Sequence, residues 1–139
     1  MPPPSPIPYL TFQNGTCEEA FTAYARIFGA APPMFMRVSD TPEGEWPEDK
    51  MGWIMHGHLT LGESAIYGSD DIEGGTPPMQ GVSIMMELPT AAEGKTVYDA
   101  LAEGGEIRMA YEPTFWSPGF GTLTDRWGIR WMISTTEEP

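Results

Sequence analysis

The hydrophobic positions in the first half of the chain predict one helix among four strands. Thr16 and Glu19 have the spacing of a capping box, in which a hydroxyl and a carboxylate satisfy amide donors at the start of a helix. Gly29 has the position of a left-handed residue at the helix end. Apolar residues at helical spacing between these caps are Ala20, Phe21, Tyr24, Ile27 and Phe28. Strands are predicted at 7–12, 34–38, 53–61 and 64–68.

The second half of the chain repeats this order of elements. Thr90 and Glu93 form a second capping-box pattern, and the glycines at 104–105 end the helix that follows. The apolar face of this helix consists of Val97, Tyr98 and Leu101. Strands are predicted at 81–88, 106–111, 121–124 and 129–133.

This repeated order predicts an α+β fold made of two modules. The modules cover about 5–70 and 79–136, and the Asp-, Gly- and Pro-rich segment 69–78 links them. One domain covering 1–139 is expected from the length. Because one helix covers one face of a small sheet, the other face must be covered by the second module or by a ligand.

Two histidines lie on the predicted open face of strand 53–61. Side chains alternate along a strand, so His56 and His58 share a face with Ile54 and Thr60. The opposite face carries Trp53, Met55, Leu59 and Leu61. The strand therefore predicts imidazoles that line a cleft. The segment 39–50 has no periodicity and is predicted to be a surface loop.

Composition narrows the classes of partner and location. The net charge is −13 with seven Lys and Arg, which disfavours nucleic acid and an anionic membrane surface as partners. No apolar run approaches the roughly 18–20 residues that cross a bilayer. The single cysteine, Cys17, cannot form an intramolecular disulfide, and no signal-peptide pattern precedes it. A cytoplasmic location is therefore expected.

Six stretches resemble the PhnB-like branch of the vicinal oxygen chelate superfamily. That superfamily also contains glyoxalase I, bleomycin-resistance proteins and extradiol dioxygenases. The resemblance implies two βαβββ modules forming a cup-shaped mixed sheet, in a homodimer; bare strand edges and a Pro-rich start of the chain also favour association. The stretches are Ile-Pro-Tyr-Leu-Thr-Phe, Ala-Phe-Thr-Ala-Tyr-Ala-Arg-Ile-Phe-Gly, Met-His-Gly-His-Leu, Leu-Ala-Glu-Gly-Gly, Thr-Phe-Trp-Ser-Pro-Gly-Phe-Gly and Asp-Arg-Trp-Gly-Ile-Arg-Trp-Met-Ile.

The resemblance also implies where a metal site would lie. Metal-using members carry one His or Glu ligand on the first and last strand of each module. At these places the sequence offers Tyr9, then His58 with His56 on the same face, then Ser83 or Ile84, and finally Met132. One or two good ligands remain, which indicates a degraded metal site.

The histidines have two interpretations. Two imidazoles two residues apart on a strand lie about 6–7 Å apart and can in principle share one divalent metal ion. Alternatively, His56 and His58 are polar residues that line the cavity and hydrogen-bond a neighbour or a ligand. The second interpretation is favoured because two ligands do not hold a zinc ion. His56 is still the first candidate for a catalytic group, since imidazole readily exchanges protons near neutral pH.

The large side chains and the cysteine are open to similar alternatives. Trp131 shares a strand face with Ile129 and Ile133 and is predicted to be core, whereas Trp116 could be core or ligand-binding. Cys17 lies at a helix start, but nearby acidic side chains disfavour a thiolate, so a structural role is predicted.

Two functions from different classes follow. The first is a protein that binds a small apolar or cationic molecule in the sheet cavity without the full metal site, with Tyr9, His56, His58, Trp116 and Met132 as candidate ligand-binding residues. The second is a lyase, isomerase or dioxygenase of glyoxalase type, in which His56 and His58 hold a divalent metal. No other cofactor is expected.

Overall fold

The computed structural model describes residues 3–42, 44 and 46–139, in two compact units, Met1–Thr76 and Pro77–Pro139. Two short 3-10 turns, Val38–Asp40 and Glu48–Lys50, lie at the start and end of the predicted surface loop 39–50, whose residues 43 and 45 lie outside the described residues. So do the first two residues of the Pro-rich start. No described helix is long and apolar enough to span a membrane.

Each unit has the predicted βαβββ order. The first contains β1 (Tyr9–Phe12), α1 (Cys17–Phe28), β2 (Met34–Arg37), β3 (Ile54–Leu61) and β4 (Ser64–Asp70). The second contains β5 (Ile84–Leu88), α2 (Ala91–Ala102), β6 (Glu106–Glu112), β7 (Phe120–Thr124) and β8 (Arg130–Thr135).

Both sheets have the same topology. The strand orders are β1-β4-β3-β2 and β5-β8-β7-β6. The first and last strands of each unit pair in parallel, and the other neighbours are antiparallel. Each sheet is therefore mixed, with its unit's last strand in an interior position.

Helix α1 approaches the first sheet closely at two glycines. Gly57 and Gly68 are directly opposed on β3 and β4. A Cβ atom would lie 3.3 Å from the Phe21 ring at Gly57 and 2.9 Å from it at Gly68. The absence of side chains here lets Phe21 lie directly on the sheet, where it also meets Phe12 edge-on at 5.6 Å.

The start of α1 is not capped as predicted. The Thr16 hydroxyl donates to the Gln13 carbonyl at 2.7 Å and makes no cap to the helix. Instead the buried Asp70 carboxylate accepts the backbone N–H of Cys17 at 2.8 Å and that of Ile54 at 2.7 Å. Asp70 is distant in sequence, and its carboxylate is a stronger acceptor than a hydroxyl. One carboxylate thus ties the starts of α1 and β3 to the end of β4. The helix ends at a left-handed Gly29, as predicted.

Helix α2 has the Thr90 part of its predicted capping box. The Thr90 hydroxyl accepts the backbone N–H of Glu93 at 3.1 Å. On the sheet side, a Cβ at Gly121 would lie 2.7 Å from the Tyr98 ring, so this helix too approaches its sheet at a glycine. The Tyr98 hydroxyl donates to the carbonyl of Met109 at 2.8 Å, which fixes the helix to β6.

The Asp-Arg-Trp-Gly turn between β7 and β8 is organised by Asp125. One carboxylate oxygen accepts the backbone N–H groups of Trp127 and Ile129, at 2.9 and 3.0 Å. The other accepts the indole N–H of Trp131 at 2.9 Å. Trp131 has no exposed surface, which confirms its predicted place in the core.

The alternation predicted for β3 breaks at its start. Met36 pairs with His56, but the next residue, Arg37, pairs with Ile54, so Met55 is an extra residue in the ladder. The extra residue breaks the alternation of side chains, so Ile54 and His56 lie on different faces of the sheet. Ile54 is almost completely buried, so the prediction that it shares an open face with His56 was wrong.

Candidate functional site

The face of the first sheet opposite α1 carries a row of polar aromatic side chains. Tyr9 on β1 is directly opposite Tyr67 on β4, and Tyr67 is directly opposite His58 on β3. His58 is in turn opposite Met34 on the edge strand β2. Their neighbours along the strands, including Leu10, Leu59 and Ile66, are buried on the helix side. This row therefore lies on the face that α1 leaves uncovered.

Four side chains on this face form one contact network, called here the imidazole–phenol cluster: Tyr9, His56, His58 and Tyr67. The Tyr9 hydroxyl lies 3.3 Å from Nδ1 of His56. The Tyr67 ring contacts the His56 ring at 5.1 Å, edge-on, and the His58 ring at 4.7 Å. Thr60 extends the network, with its hydroxyl 3.3 Å from Nε2 of His58. Three of the predicted site residues are thus in one place.

The cluster offers hydrogen-bonding groups and the faces of aromatic rings. A phenol both donates and accepts hydrogen bonds, and a neutral imidazole has one donor and one acceptor nitrogen. Tyr9 exposes 52% of its surface. A flat molecule could stack on such rings and hydrogen-bond at their edges.

The corresponding face of the second sheet is lined by methionines. Met85 on β5 is opposite Met132 on β8, which is opposite Thr122 on β7, which is opposite Met109 on β6. Met85 and Met109 are each about half exposed. The predicted residue Met132 therefore lies in the centre of a flexible, polarisable apolar surface.

Trp116 belongs to an exposed group of aromatic rings in the loop between β6 and β7. It is 50% exposed, so the alternative that it is core was wrong. Its ring contacts those of Phe115 at 4.8 Å and Phe120 at 5.5 Å. The buried Ser117 fixes this loop by bonding with both backbone groups of Gly119. The loop thus holds Trp116 at the surface.

Sequence reasoning missed Tyr67 and Met85. Both lie opposite a residue that was predicted, Tyr9 and Met132, on the parallel partner strand. The period-two pattern of 64–68 could have placed Tyr67 on the open face. Its contact with Tyr9 depends on the register between strands far apart in sequence, which no local pattern contains.

The residues on the strands where the resemblance implies a metal site do not fit a divalent metal. In the first unit these strands are β1 and β4, and their opposed residues are Tyr9 and Tyr67. In the second unit they are β5 and β8, with Met85 and Met132. A neutral phenol is a poor ligand, and thioethers favour soft ions such as Cu(I). His58 lies on β3, which is neither the first nor the last strand of its unit.

The other metal-site candidates are not better placed. Ser83 precedes β5, and Ile84 is opposite the buried Trp131. Across residues 3–42, 44 and 46–139, no three or more His, Cys, Asp and Glu side chains are grouped so that they could hold a metal ion. His56 and His58 would therefore have to bind a metal ion without a third His, Cys, Asp or Glu ligand from the described residues.

Cys17 has the structural role predicted for it. The side chain is completely buried. Burial raises the pKa of the thiol strongly, and the nearby Asp70 and Glu18 raise it further, because each disfavours the thiolate. Burial and the nearby carboxylates therefore both disfavour a nucleophilic role for Cys17.

The two βαβββ units are typical of proteins with the glyoxalase and bleomycin-resistance fold. A glyoxylase/bleomycin resistance protein/dioxygenase domain from Frankia sp. EAN1pec aligns with a TM-score of 0.66 and 13% identity, covering 99% of this chain and 95% of that one. At this identity the likeness shows the fold alone. The predicted α+β vicinal oxygen chelate fold is confirmed.

Closer relatives define the family. Residues 4–134 match the family model described as 3-demethylubiquinone-9 3-methyltransferase. Protein YjdN of Escherichia coli (strain K12) is 30% identical over 143 residues, covering 94% of this chain and 95% of its own. The chain therefore belongs to this family, the PhnB-like branch of the vicinal oxygen chelate superfamily, as the sequence predicted.

Solved structures agree with this assignment. Protein PA1353 from Pseudomonas aeruginosa is 34% identical with a TM-score of 0.81, covering 94% of this chain and 98% of that one. A putative 3-demethylubiquinone-9 3-methyltransferase, PhnB protein, from Bacillus cereus has a TM-score of 0.78 at 23% identity, covering 96% and 100%. The second likeness again shows the fold only.

Proposed function

We infer that this protein binds a small organic molecule on the open face of its first sheet, without a metal ion. The observation that carries the proposal is the imidazole–phenol cluster, in which four aromatic side chains from β1, β3 and β4 contact one another on a face that α1 does not cover. Rings with hydrogen-bonding edges suit a ligand that is flat and carries polar atoms.

The charge of the protein favours a neutral or cationic ligand. A net charge of −13 repels anions, and no Lys or Arg is part of the cluster to compensate. Tyrosine faces also attract organic cations through their π-electrons. The preferred ligand is therefore a planar neutral or cationic heteroaromatic molecule.

The other candidate activities have less support. A divalent-metal enzyme of glyoxalase type needs metal ligands on β1, β4, β5 and β8. The tyrosines and methionines on these strands of the protein are poor ligands for such a metal. The family description names a methyltransferase, but the strand-to-helix turn at Gln13-Asn14-Gly15-Thr16 lacks the Gly-rich pattern of a dinucleotide-type cofactor site. If the protein is an enzyme, His56 is the proposed acid–base group.

Ligand binding can be measured on the histidines themselves. N-methylquinolinium and neutral quinoline are titrated into the protein while the imidazole signals of His56 and His58 are followed by NMR. Both signals should shift, and His56→Ala or Tyr9→Phe should weaken the affinity by about tenfold, the loss of roughly one hydrogen bond or ring contact. The Tyr9→Phe variant keeps the ring and removes only the hydroxyl.

The same titration tests the residues of the second unit. Trp116 and Met132 remain proposed ligand-binding residues of the second unit itself, and tryptophan fluorescence of Trp116→Phe and Met132→Leu measures binding on that unit. Silence of both histidine signals with a broad panel of flat compounds would contradict the proposal. Elemental analysis of protein purified without chelator should find less than about a tenth of an equivalent of zinc, iron, manganese or nickel, unchanged by His56→Ala. Stoichiometric metal would support the enzyme instead.

Two expectations from the sequence are also proposed. The protein is a homodimer, supported by the strand edges that each sheet leaves unpaired among its own strands. Its location is the cytoplasm, supported by the single buried cysteine.

A further inference from the structure

The ring of Tyr67 lies against both histidines of the cluster. His56 and His58 are two residues apart on β3, and imidazoles at this spacing can share one transition-metal ion when both rings can turn toward it. Yet the Tyr67 ring centre is 5.1 Å from that of His56 and 4.7 Å from that of His58. The phenol ring therefore occupies space beside each imidazole.

Each imidazole also has a separate hydrogen-bonding neighbour. Nδ1 of His56 lies 3.3 Å from the Tyr9 hydroxyl, across to β1. Nε2 of His58 lies 3.3 Å from the Thr60 hydroxyl, along β3. The two rings are thus oriented by different partners, and turning both toward a common point would break these contacts as well as those with Tyr67.

We propose that Tyr67 is a positioning residue that prevents His56 and His58 from chelating a metal ion. It keeps them as two separate hydrogen-bonding groups, which is the form in which they serve an organic ligand, so the inference rests on the proposed function. Tyr67 lies on β4, one of the strands on which the resemblance implies a metal ligand. At this position the chain has a side chain that acts against metal binding.

The test is a gain of metal affinity on removal of the ring. Tyr67→Ala should bind Cu²⁺ and Ni²⁺ at least about tenfold more tightly than the natural protein, because the freed imidazoles can converge and Cu²⁺ has the highest affinity of the divalent series for nitrogen ligands. Tyr67→Phe keeps the ring and should bind as weakly as the natural protein. Calorimetry in a non-coordinating buffer gives the affinities, and paramagnetic broadening of the His56 and His58 signals identifies the ligands.

Two further variants keep the result interpretable. Tyr67→Val retains a residue that favours strands, so it tests the same idea if Tyr67→Ala does not fold. His56→Ala combined with Tyr67→Ala should abolish the gain. Equal affinities for Tyr67→Val and Tyr67→Phe would overturn the proposal, as would a gain that survives His56→Ala. No organic ligand is present, so these results are independent of whether quinolinium or quinoline binds.

Discussion

At the scale of single residues, one phenol restricts two glycines of the second unit. The Tyr111 hydroxyl donates to the carbonyl of Ala91 at 2.8 Å, which fixes β6 to the first turn of α2. A Cβ atom at Gly94 in α2, or at Gly119 before β7, would collide with the same hydroxyl. These two glycines are therefore required by contact with Tyr111, and neither has a positive φ angle.

Gly94→Ala should lower the free energy of unfolding by about 1–3 kcal/mol. The new methyl group displaces the Tyr111 hydroxyl from Ala91, and this loss exceeds the roughly 1 kcal/mol that alanine contributes over glycine inside a helix. In a Tyr111→Phe background the hydroxyl is absent and the nearest ring carbon is 3.1 Å from the methyl position. There Gly94→Ala should be neutral or stabilising. Urea denaturation of the four proteins in a double-mutant cycle measures the coupling.

Gly119→Ala is the matched control for this cycle. Its methyl group would lie 2.5 and 2.9 Å from ring carbons of Tyr111, so removing the hydroxyl does not make room. Gly119→Ala should still destabilise the protein in the Tyr111→Phe background, because the ring carbons remain in the way. Rescue of Gly119→Ala by Tyr111→Phe, or no rescue of Gly94→Ala, would contradict this account.

The site shows how far residue-level prediction from sequence extends. Tyr9, His56 and His58 could be identified because local alternation and the order of elements place them on one face. Tyr67 and Met85 could not, because their importance depends on which residue of a distant strand lies opposite. Register between parallel strands is decided by the packing of the whole sheet.

At the scale of elements, two adjacent aspartates at the end of β4 differ in burial. Asp70 is buried, and burial raises its pKa although two backbone N–H groups lower it. Asp71 is only partly buried, and hydrogen bonds from the backbone of Thr76 and Gly74 lower its pKa. Each carboxylate accepts two backbone N–H groups. A comparison of the two residues therefore shows the effect of burial at an equal number of backbone hydrogen bonds.

Asp70→Asn should lower the free energy of unfolding by about 1–3 kcal/mol near neutral pH. An amide accepts from only one of the two N–H groups and directs its own N–H toward the other. Because the folded-state pKa of Asp70 is raised above its ordinary value of 3.8, this group stabilises the fold most below that pH, and the contribution falls as pH rises through the folded pKa. The difference between the two proteins should therefore narrow as pH rises.

Asp71→Asn is the control for this comparison. At this partly exposed surface site the change should be about 0.5 kcal/mol or less. Urea denaturation at acid and at neutral pH gives both values, and hydrogen exchange at the Cys17 and Ile54 amides should accelerate only in Asp70→Asn. Equal destabilisation by the two variants would show that burial of Asp70 is unimportant.

The elements themselves were largely predictable from sequence, and their junctions were not. Both helices, the eight strands and the left-handed Gly29 follow from periodicity and local caps. The cap of α1 and the burial of Ile54 do not, since Asp70 and the β3 bulge are set by contacts across the sheet.

At the scale of the whole molecule, acidic charge and exposed apolar side chains have opposing effects. A charge of −13 keeps chains apart, whereas edge strands with exposed apolar side chains bring them together. On the edge strand β6, Ile107 and Met109 are both more than half exposed. The dimer that we propose requires that association outweigh repulsion.

Size-exclusion chromatography with light scattering measures this balance. The expected mass at micromolar concentration is twice the 15.3 kDa of the chain. Because salt screens the repulsion between acidic chains, raising the ionic strength should favour the dimer. A mass of one chain at both low and high salt would refute the dimer.

The two units have the same strand order but different buried polar contacts. The orders β1-β4-β3-β2 and β5-β8-β7-β6 coincide, yet the buried aspartates differ in position. Asp70 ends β4 and caps a helix, while Asp125 closes a turn and binds an indole. The two units thus share a topology but not the polar contacts that fix their junctions. A substitution tolerated in one unit is therefore no guide to the equivalent position of the other.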